Sequence, residues 1–247
     1  MIEAKNLTMC YGSTRAVDDV SFKIGEKQIV GFLGPNGAGK TTLMRVLTTF
    51  IHPTKGTALV AGYDVIEKPL EVRRSLGYLP ETPPLYTDMR VDDYIDFTAR
   101  ARGMRGARLR ERKDWVVQAC GIAPVWKHGI HEISLGFRRR VGLAQAIVHD
   151  PSVIILDEPT SGLDPLQIIG VRELIKNLSQ TKTILFSTHI LQEAAAISDQ
   201  LFILNSGRVA ARGTVAELQG KEASLEAAFL AIFQPEADPP RAGRRNS

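Results

Sequence analysis

Gly34, Pro35, Asn36, Gly37, Ala38, Gly39, Lys40 and Thr41 carry the spacing GxxxxGK[ST], set between an apolar run over 28–33 and a helix-forming stretch over 41–49. Such a loop closes around a phosphate because its glycines permit a tight backbone whose successive N–H groups turn inward onto the anion's oxygens. Lys40 adds a full positive charge, the Thr41 hydroxyl suits Mg2+, and Thr42 stands beside it among the candidate nucleotide contacts. The helix that follows aims the positive end of its dipole at the same point. The chain is therefore expected to bind ATP or GTP. A glycine-rich turn with a solvated lysine is the plain alternative, and the surrounding sequence has to decide between them.

That surrounding sequence alternates strand and helix. Residues 1–29 read as short alternating strands with turn signals at Gly12, Ser13 and Gly25, an antiparallel flank; 56–62 and 75–79 add strand candidates, ended by Pro80, Pro83 and Pro84. From 91 to 120 the period changes to helical. Val91, Tyr94, Ile95, Thr98 and Ala101 share one face, and Leu109, Val116, Val117 and Cys120 share another. Nearly continuous apolar runs at 151–156 and 181–186, each followed by a helical stretch, read as parallel strands covered on both faces. The expected fold is α/β: a P-loop NTPase core with a parallel sheet over 1–81 and 146–220, an antiparallel β flank, and an inserted helical subdomain over 82–145. A C-terminal helix is expected over 221–234, with an apolar face of Leu225, Ala228, Phe229 and Ile232, and a disordered tail over 235–247.

Asp157 and Glu158 end the strand that begins at Val153, so two carboxylates stand at the sheet edge where the phosphate loop also lies. Asp157 is suited to hold Mg2+ directly or through water. Glu158 is then free to orient or deprotonate the attacking water, since phosphoryl transfer asks mainly for positioning and charge neutralisation. Two cysteines, Cys10 and Cys120, lie far apart without metal-ligand spacing, as in a reduced cytosolic protein. No apolar run approaches the roughly 20 residues needed to cross a bilayer. The net charge of +4 favours anionic partners without demanding nucleic acid.

Between the two motifs, Ile133, Ser134, Leu135, Gly136, Phe137 and Arg140 resemble the signature of the ATP-binding cassette (ABC) family, which begins Leu-Ser-Gly-Gly-Gln and runs into a helix. Leu135 and Phe137 depart from its commonest form. The resemblance spans nearly the whole chain, taking in the phosphate loop, the Asp157–Glu158 strand, the run 161–164 as the family's D-loop with Asp164, and His189 as its switch histidine. It implies that Ser134 and Gly136 of one subunit close over ATP held by the phosphate loop of another, in a homodimer or paired cassette. It also implies that Tyr11 stacks on the adenine and that His189 meets the γ-phosphate or the water beside Glu158. Glu81 stands where most of the family carries a glutamine that reaches toward Mg2+. Outside the resemblance, Tyr11 and His189 read as structural residues and Ser134 as a helix N-cap.

The stretches 78–86, 142–146 and 161–165 look like the ATPase subunits of ABC-2 type exporters. The expected protein is thus an ATPase using ATP and Mg2+ on the cytoplasmic face of the cell membrane, paired with a separate transmembrane ABC-2 type permease, with no nucleic acid expected. A nucleic-acid- or ribosome-associated cassette and a nucleotide-binding regulator without turnover are the other classes open at this stage. Arg100, Arg102, Arg105, Arg108, Arg110, Arg112 and Lys113 read as a solvated helix face, or as a surface turned to anionic headgroups or acidic loops of a membrane partner.

Overall fold

The computed structural model describes residues 1–233. The chain opens with β1 (Ile2–Tyr11) and β2 (Thr14–Ile24), followed by β3 (Ile29–Leu33), the phosphate loop, α1 (Lys40–Leu47), β4 (Lys55–Val60), β5 (Tyr63–Asp64), α2 (Pro69–Ser75) and β6 (Leu76–Leu79). Helices α3 (Val91–Ala101), α4 (Gly106–Ala119) and α5 (Leu135–Ile147) come next. The chain continues through β7 (Val153–Asp157), α6 (Pro165–Ser179), β8 (Thr183–Thr188), α7 (Leu191–Ile197), β9 (Gln200–Asn205), β10 (Arg208–Gly213), α8 (Val215–Gln219) and α9 (Leu225–Phe233).

Two sheets result. The larger has the order β10-β9-β3-β8-β7-β6, in which β6, β7, β8, β3 and β9 run parallel and β10 is antiparallel at the edge. The smaller, β2-β1-β4-β5, is antiparallel throughout. Where short strands are expected over 1–29, the fold builds two long ones: Gly12, at φ 58°, turns the chain and lets ten- and eleven-residue strands pair in a hairpin. Residues of β3, β7 and β8 are buried at every position, which is why their sequences show no alternation.

One apolar layer lies between the two sheets, where Phe22 of β2 meets Phe32 and Phe202 of the larger sheet edge to face, with ring centroids 5.4 and 5.6 Å away. The opposite face of the larger sheet packs on α5 and α6 through Ile154, Leu156, Ile184 and Phe186, and α3 and α4 pack in turn on α5. One helical reading needs correction. Ala101 is exposed, and Ala99 takes the inward place beside Val91, Tyr94 and Ile95, because the α3 stripe follows the i, i+3, i+4, i+8 rows. Helix α5 runs past 145, since Ala146 and Ile147 extend its buried stripe. Helix α9 buries Leu225 in a small core with Leu33, Leu191, Ala194 and Leu201, against which Phe229 also packs, and Ala228 is buried as well. The tail expected over 235–247 lies outside the described residues.

Cys10 and Cys120 are both free, and burial pushes the Cys120 thiol up to about 12, so it fills space as a small inert apolar group. No helix among the described residues is long and apolar enough to cross a membrane.

Candidate active site

A cleft of about 420 Å3 opens at the C-terminal end of β3, lined by Tyr11, Ala16, Asn36, Gly37, Ala38, Gly39, Lys40, Thr41, Thr42, Glu81 and Glu158. The loop between β3 and α1 depends on its glycines. Gly39 sits at φ 100°, and a side chain there would also press its Cβ to 2.4 Å from the Ala16 carbonyl oxygen. At Gly34 the obstacle is the Leu204 carbonyl oxygen, again at 2.4 Å. The loop is thus seated directly on the backbone of neighbouring strands, and α1 follows with its N-terminal N–H groups facing the cleft side of the sheet.

Lys40 is 6 % exposed, and its ammonium donates to the carbonyls of Gly34 at 2.6 Å and Pro35 at 3.2 Å. Its Nζ stands 3.9 Å from Glu158 Oε1. Burial lowers the Lys40 pKa, and the charges of Glu158, Asp157 and Glu81 oppose that shift. The ammonium is therefore held over the loop by dipoles, close to carboxylates yet short of a tight ion pair, a state that an entering phosphate relieves.

Asp157 is fully buried at the end of β7, and the Ser187 hydroxyl of β8 donates to its Oδ1 at 2.5 Å. The same hydroxyl accepts from the Glu158 N–H at 3.0 Å. Asp157 Oδ2 has no hydrogen-bond partner among the described residues. A buried carboxylate oxygen left open in this way fits a hard cation or a water bound to one. The described residues contain no group of three or more His, Cys, Asp or Glu that would cage a metal alone. Magnesium commonly sits on one or two carboxylates plus substrate phosphates, so this donor set fits it.

Glu158 occupies a left-handed backbone conformation at φ 50°, which turns its side chain off the line of β7. Its Oε2 lies 3.0 Å from His189 Nδ1, just beyond the end of β8, and the imidazole is half exposed. The carboxylate therefore bridges the phosphate-loop lysine on one oxygen and the histidine on the other.

Ser134, Gly136 and Asp164 do not line this cleft. Ser134 caps α5, its hydroxyl accepting from the Phe137 N–H at 3.3 Å, and Asp164 caps α6, accepting from the Gln167 N–H at 2.9 Å. The two caps are neighbours: a Cβ on Gly136 would meet the Gln167 side chain at 2.4 Å, and one on Gly162 would meet Leu135 at 3.1 Å. They form a second surface outside the cleft, on which Leu135 and Leu166 are also exposed.

One residue of the site carries no motif of its own in the sequence. Arg139, 6 % exposed on α5, donates to the backbone carbonyls of Glu81, Asp157, Glu158 and Pro159, the contact to Asp157 measuring 3.2 Å. Burial lowers its pKa, opposed by the charges of Glu81, Asp157 and Glu158. One guanidinium thus ties the signature helix to the segments that carry all three acidic candidates. Replacing it by glutamine (Arg139→Gln) leaves several buried carbonyls without donors. The expected cost is about 2–4 kcal/mol in denaturant unfolding, together with an approximately tenfold fall in kcat at little-changed KM for ATP.

A family model described as ABC transporter matches residues 17–161, well over half of the chain. The chain belongs to the ABC transporter family. A second model, an AAA domain with the description putative AbiEii toxin, Type IV TA system, matches the shorter stretch 130–195. The uncharacterized ABC transporter ATP-binding protein YxlF of Bacillus subtilis is 36 % identical, over 90 % of this chain and 74 % of its own length. The bacitracin transport ATP-binding protein BcrA of Bacillus licheniformis is 35 % identical, over 85 % and 68 %. A solved ATP-binding subunit of an ABC transporter superposes with a TM-score of 0.88 at 29 % identity, covering 95 % of this chain and all of that one. A dimeric, post-hydrolysis ATP-binding cassette bound to ADP and Pi gives 0.81 at 23 %, over 87 % and 99 %, a likeness of fold. This ABC chain has the P-loop NTPase fold and is the ATP-binding, ATP-hydrolysing subunit of a transporter.

Proposed function

We propose that the chain powers export through a separate transmembrane subunit of the ABC-2 type, working as a peripheral subunit on the cytoplasmic face of the membrane. The relatives that support the reading include a bacitracin transport ATP-binding protein. The observation that carries the mechanism is the separation of two surfaces on one chain. One holds Tyr11, the loop Gly34–Thr42, Glu81 and Glu158 around a cleft, and the other holds Ser134, Gly136 and Asp164 away from it. Two copies arranged head to tail, or this chain with a second cassette, bring the caps of one against the cleft of the other.

In that arrangement Tyr11, 45 % exposed beside the cleft, gives the adenine an aromatic face. The loop N–H groups, Lys40 and the Thr41 and Thr42 hydroxyls hold the phosphates, while the Ser134 hydroxyl and the N-terminal N–H groups of α5 approach them from the partner. Thr41, Asp157 and Glu81 would hold Mg2+, whose charge neutralises the phosphate oxygens when it is bound. Glu158 orients and deprotonates the water, and His189, bonded to Glu158 Oε2, fixes the carboxylate's direction. Asp164 steadies the opposing site through the loop that precedes α6. Cleavage removes the shared anion, and the two surfaces separate.

Placing a carboxylate against the shared phosphate tests this directly. Turnover per protomer is expected to rise with protein concentration in the wild type. In Ser134→Glu that rise disappears while ATP binding to the isolated chain stays within about twofold, because like charges across the interface cost several kcal/mol. Concentration-independent turnover in the wild type, or an unchanged rise in Ser134→Glu, would sink the two-surface mechanism.

A further inference from the structure

The basic stretch of α3 and α4 is divided by the fold. Arg100 and Lys113 share the Asp96 carboxylate, and Arg112 donates to the Ile147 and Val148 carbonyls at 2.9 and 3.0 Å. Arg102, Arg105 and Arg108 line a separate cavity of about 620 Å3, together with Arg73 and Arg74 of α2. Arg102 donates to the Arg73 carbonyl, Arg105 to those of Arg100 and Met104 at 2.8 and 2.7 Å, and Arg73 to that of Pro69 at 3.2 Å, bonds that leave the charges themselves without an anion. Among the described residues none of these five forms an ion pair, and no acid lines the cavity. The nearby Asp150 is committed to Lys182 at 2.7 Å and to Arg112 at 3.9 Å. Burial and the charge of Arg73 both push the Arg102 pKa down. Five like charges around one hollow repel each other, and an entering anion removes that penalty.

His149 adds a second requirement. Its Nε2 stands 3.0 Å from the Leu76 carbonyl oxygen, which can only accept, so Nε2 carries the ring proton. Burial, then the charge of Arg102, pushes its pKa down to about 4, and the ring is neutral at physiological pH. Nδ1 is therefore an acceptor, buried and without a partner among the described residues. A ligand that offers phosphate oxygens to the guanidiniums and a hydroxyl donor to the imidazole answers both needs. A carboxylate side chain answers only the first.

We propose that this pocket binds a hydroxyl-bearing phosphate anion of the glycerophosphate class, as a free phosphoester or as the headgroup of an anionic phospholipid. Arginine forks suit phosphate oxygens in pairs, and the pocket shares no lining residue with the nucleotide cleft. The site exists whether or not the subunit serves an exporter.

The test uses the full chain, titrated calorimetrically with glycerol 1-phosphate and sedimented with phosphatidylcholine vesicles with or without phosphatidylglycerol. The triple variant Arg73→Gln, Arg105→Gln, Arg108→Gln is expected to bind about a hundredfold more weakly, and Arg105→Gln alone about fivefold. Exposed Lys5, Lys23 and Lys55 replaced together by glutamine give a charge-matched control that keeps most of the binding. ATP binding reports whether each variant is folded, and the single variant carries the test should the triple one fail. Heat with glycerol 1-phosphate identifies a free phosphoester; sedimentation that needs phosphatidylglycerol, without such heat, identifies the headgroup. Absence of both, equal loss in the lysine control, unchanged binding in the arginine variants, or binding of poly-glutamate in place of phosphate would overturn the proposal, the last marking a protein-docking site.

Discussion

Glu158→Gln is expected to lower ATP turnover by about a hundredfold or more while leaving nucleotide binding intact, so that an ATP-bound dimer accumulates. The amide keeps the volume of the side chain and can still accept from the imidazole that lies 3.0 Å from Oε2. It cannot take a proton from water, and it removes the negative charge 3.9 Å from the Lys40 ammonium. Backbone geometry should survive, because the Glu158 N–H is held by Ser187 and its carbonyl by Arg139, neither contact involving the side chain. Single-turnover phosphate release, with dimer content followed by light scattering at saturating Mg2+ and ATP, separates the outcomes. Turnover within a few-fold of wild type would remove Glu158 as the base. Loss of turnover without a dimer would detach hydrolysis from the proposed opening of the two surfaces.

The parts of this site that rest on short spacing are legible in the amino-acid order itself. The loop Gly34–Thr41 and the pair Asp157–Glu158 are local patterns, and apolar runs such as 151–156 and 181–186 announce strands buried on both faces. What stays illegible is set by phase and by partners distant in the chain. Arg138, Arg139 and Arg140 are adjacent and chemically alike, yet only Arg139 is buried on the stripe it shares with Gly136 and Leu143. Its role follows from carbonyls that lie about 20 to 60 residues away. The basic run over 100–113 likewise looks uniform until Asp96 pairs with Arg100 and Lys113 and leaves Arg102, Arg105 and Arg108 facing α2 without a carboxylate. A turn of roughly 100° per helical residue decides these assignments, and an error of two residues in phase, as between Ala99 and Ala101, reverses them.

Lys40→Met should separate binding from stability in opposite directions. The ammonium is 6 % exposed, bonded to two carbonyls and short of close contact with Glu158, and burial lowers its pKa. A buried charge without a tight counterion is a cost to the fold, so an apolar side chain of similar length is expected to leave stability unchanged or raise it by about 1 kcal/mol. Binding loses the charge-assisted contact to phosphate, worth about 2–4 kcal/mol in a partly desolvated cleft, which weakens ATP by roughly 30- to 1,000-fold. The ATP-induced rise in melting temperature should then vanish at nucleotide concentrations that shift the wild type clearly, since stabilisation follows RT ln(1 + [L]/Kd). Arg in place of Lys40 would not rescue binding, because the longer planar head cannot keep both loop carbonyls and also meet the phosphate. A variant whose melting temperature still climbs with ATP as the wild type's does would place the phosphate somewhere other than under this ammonium, and would move the whole cleft assignment with it.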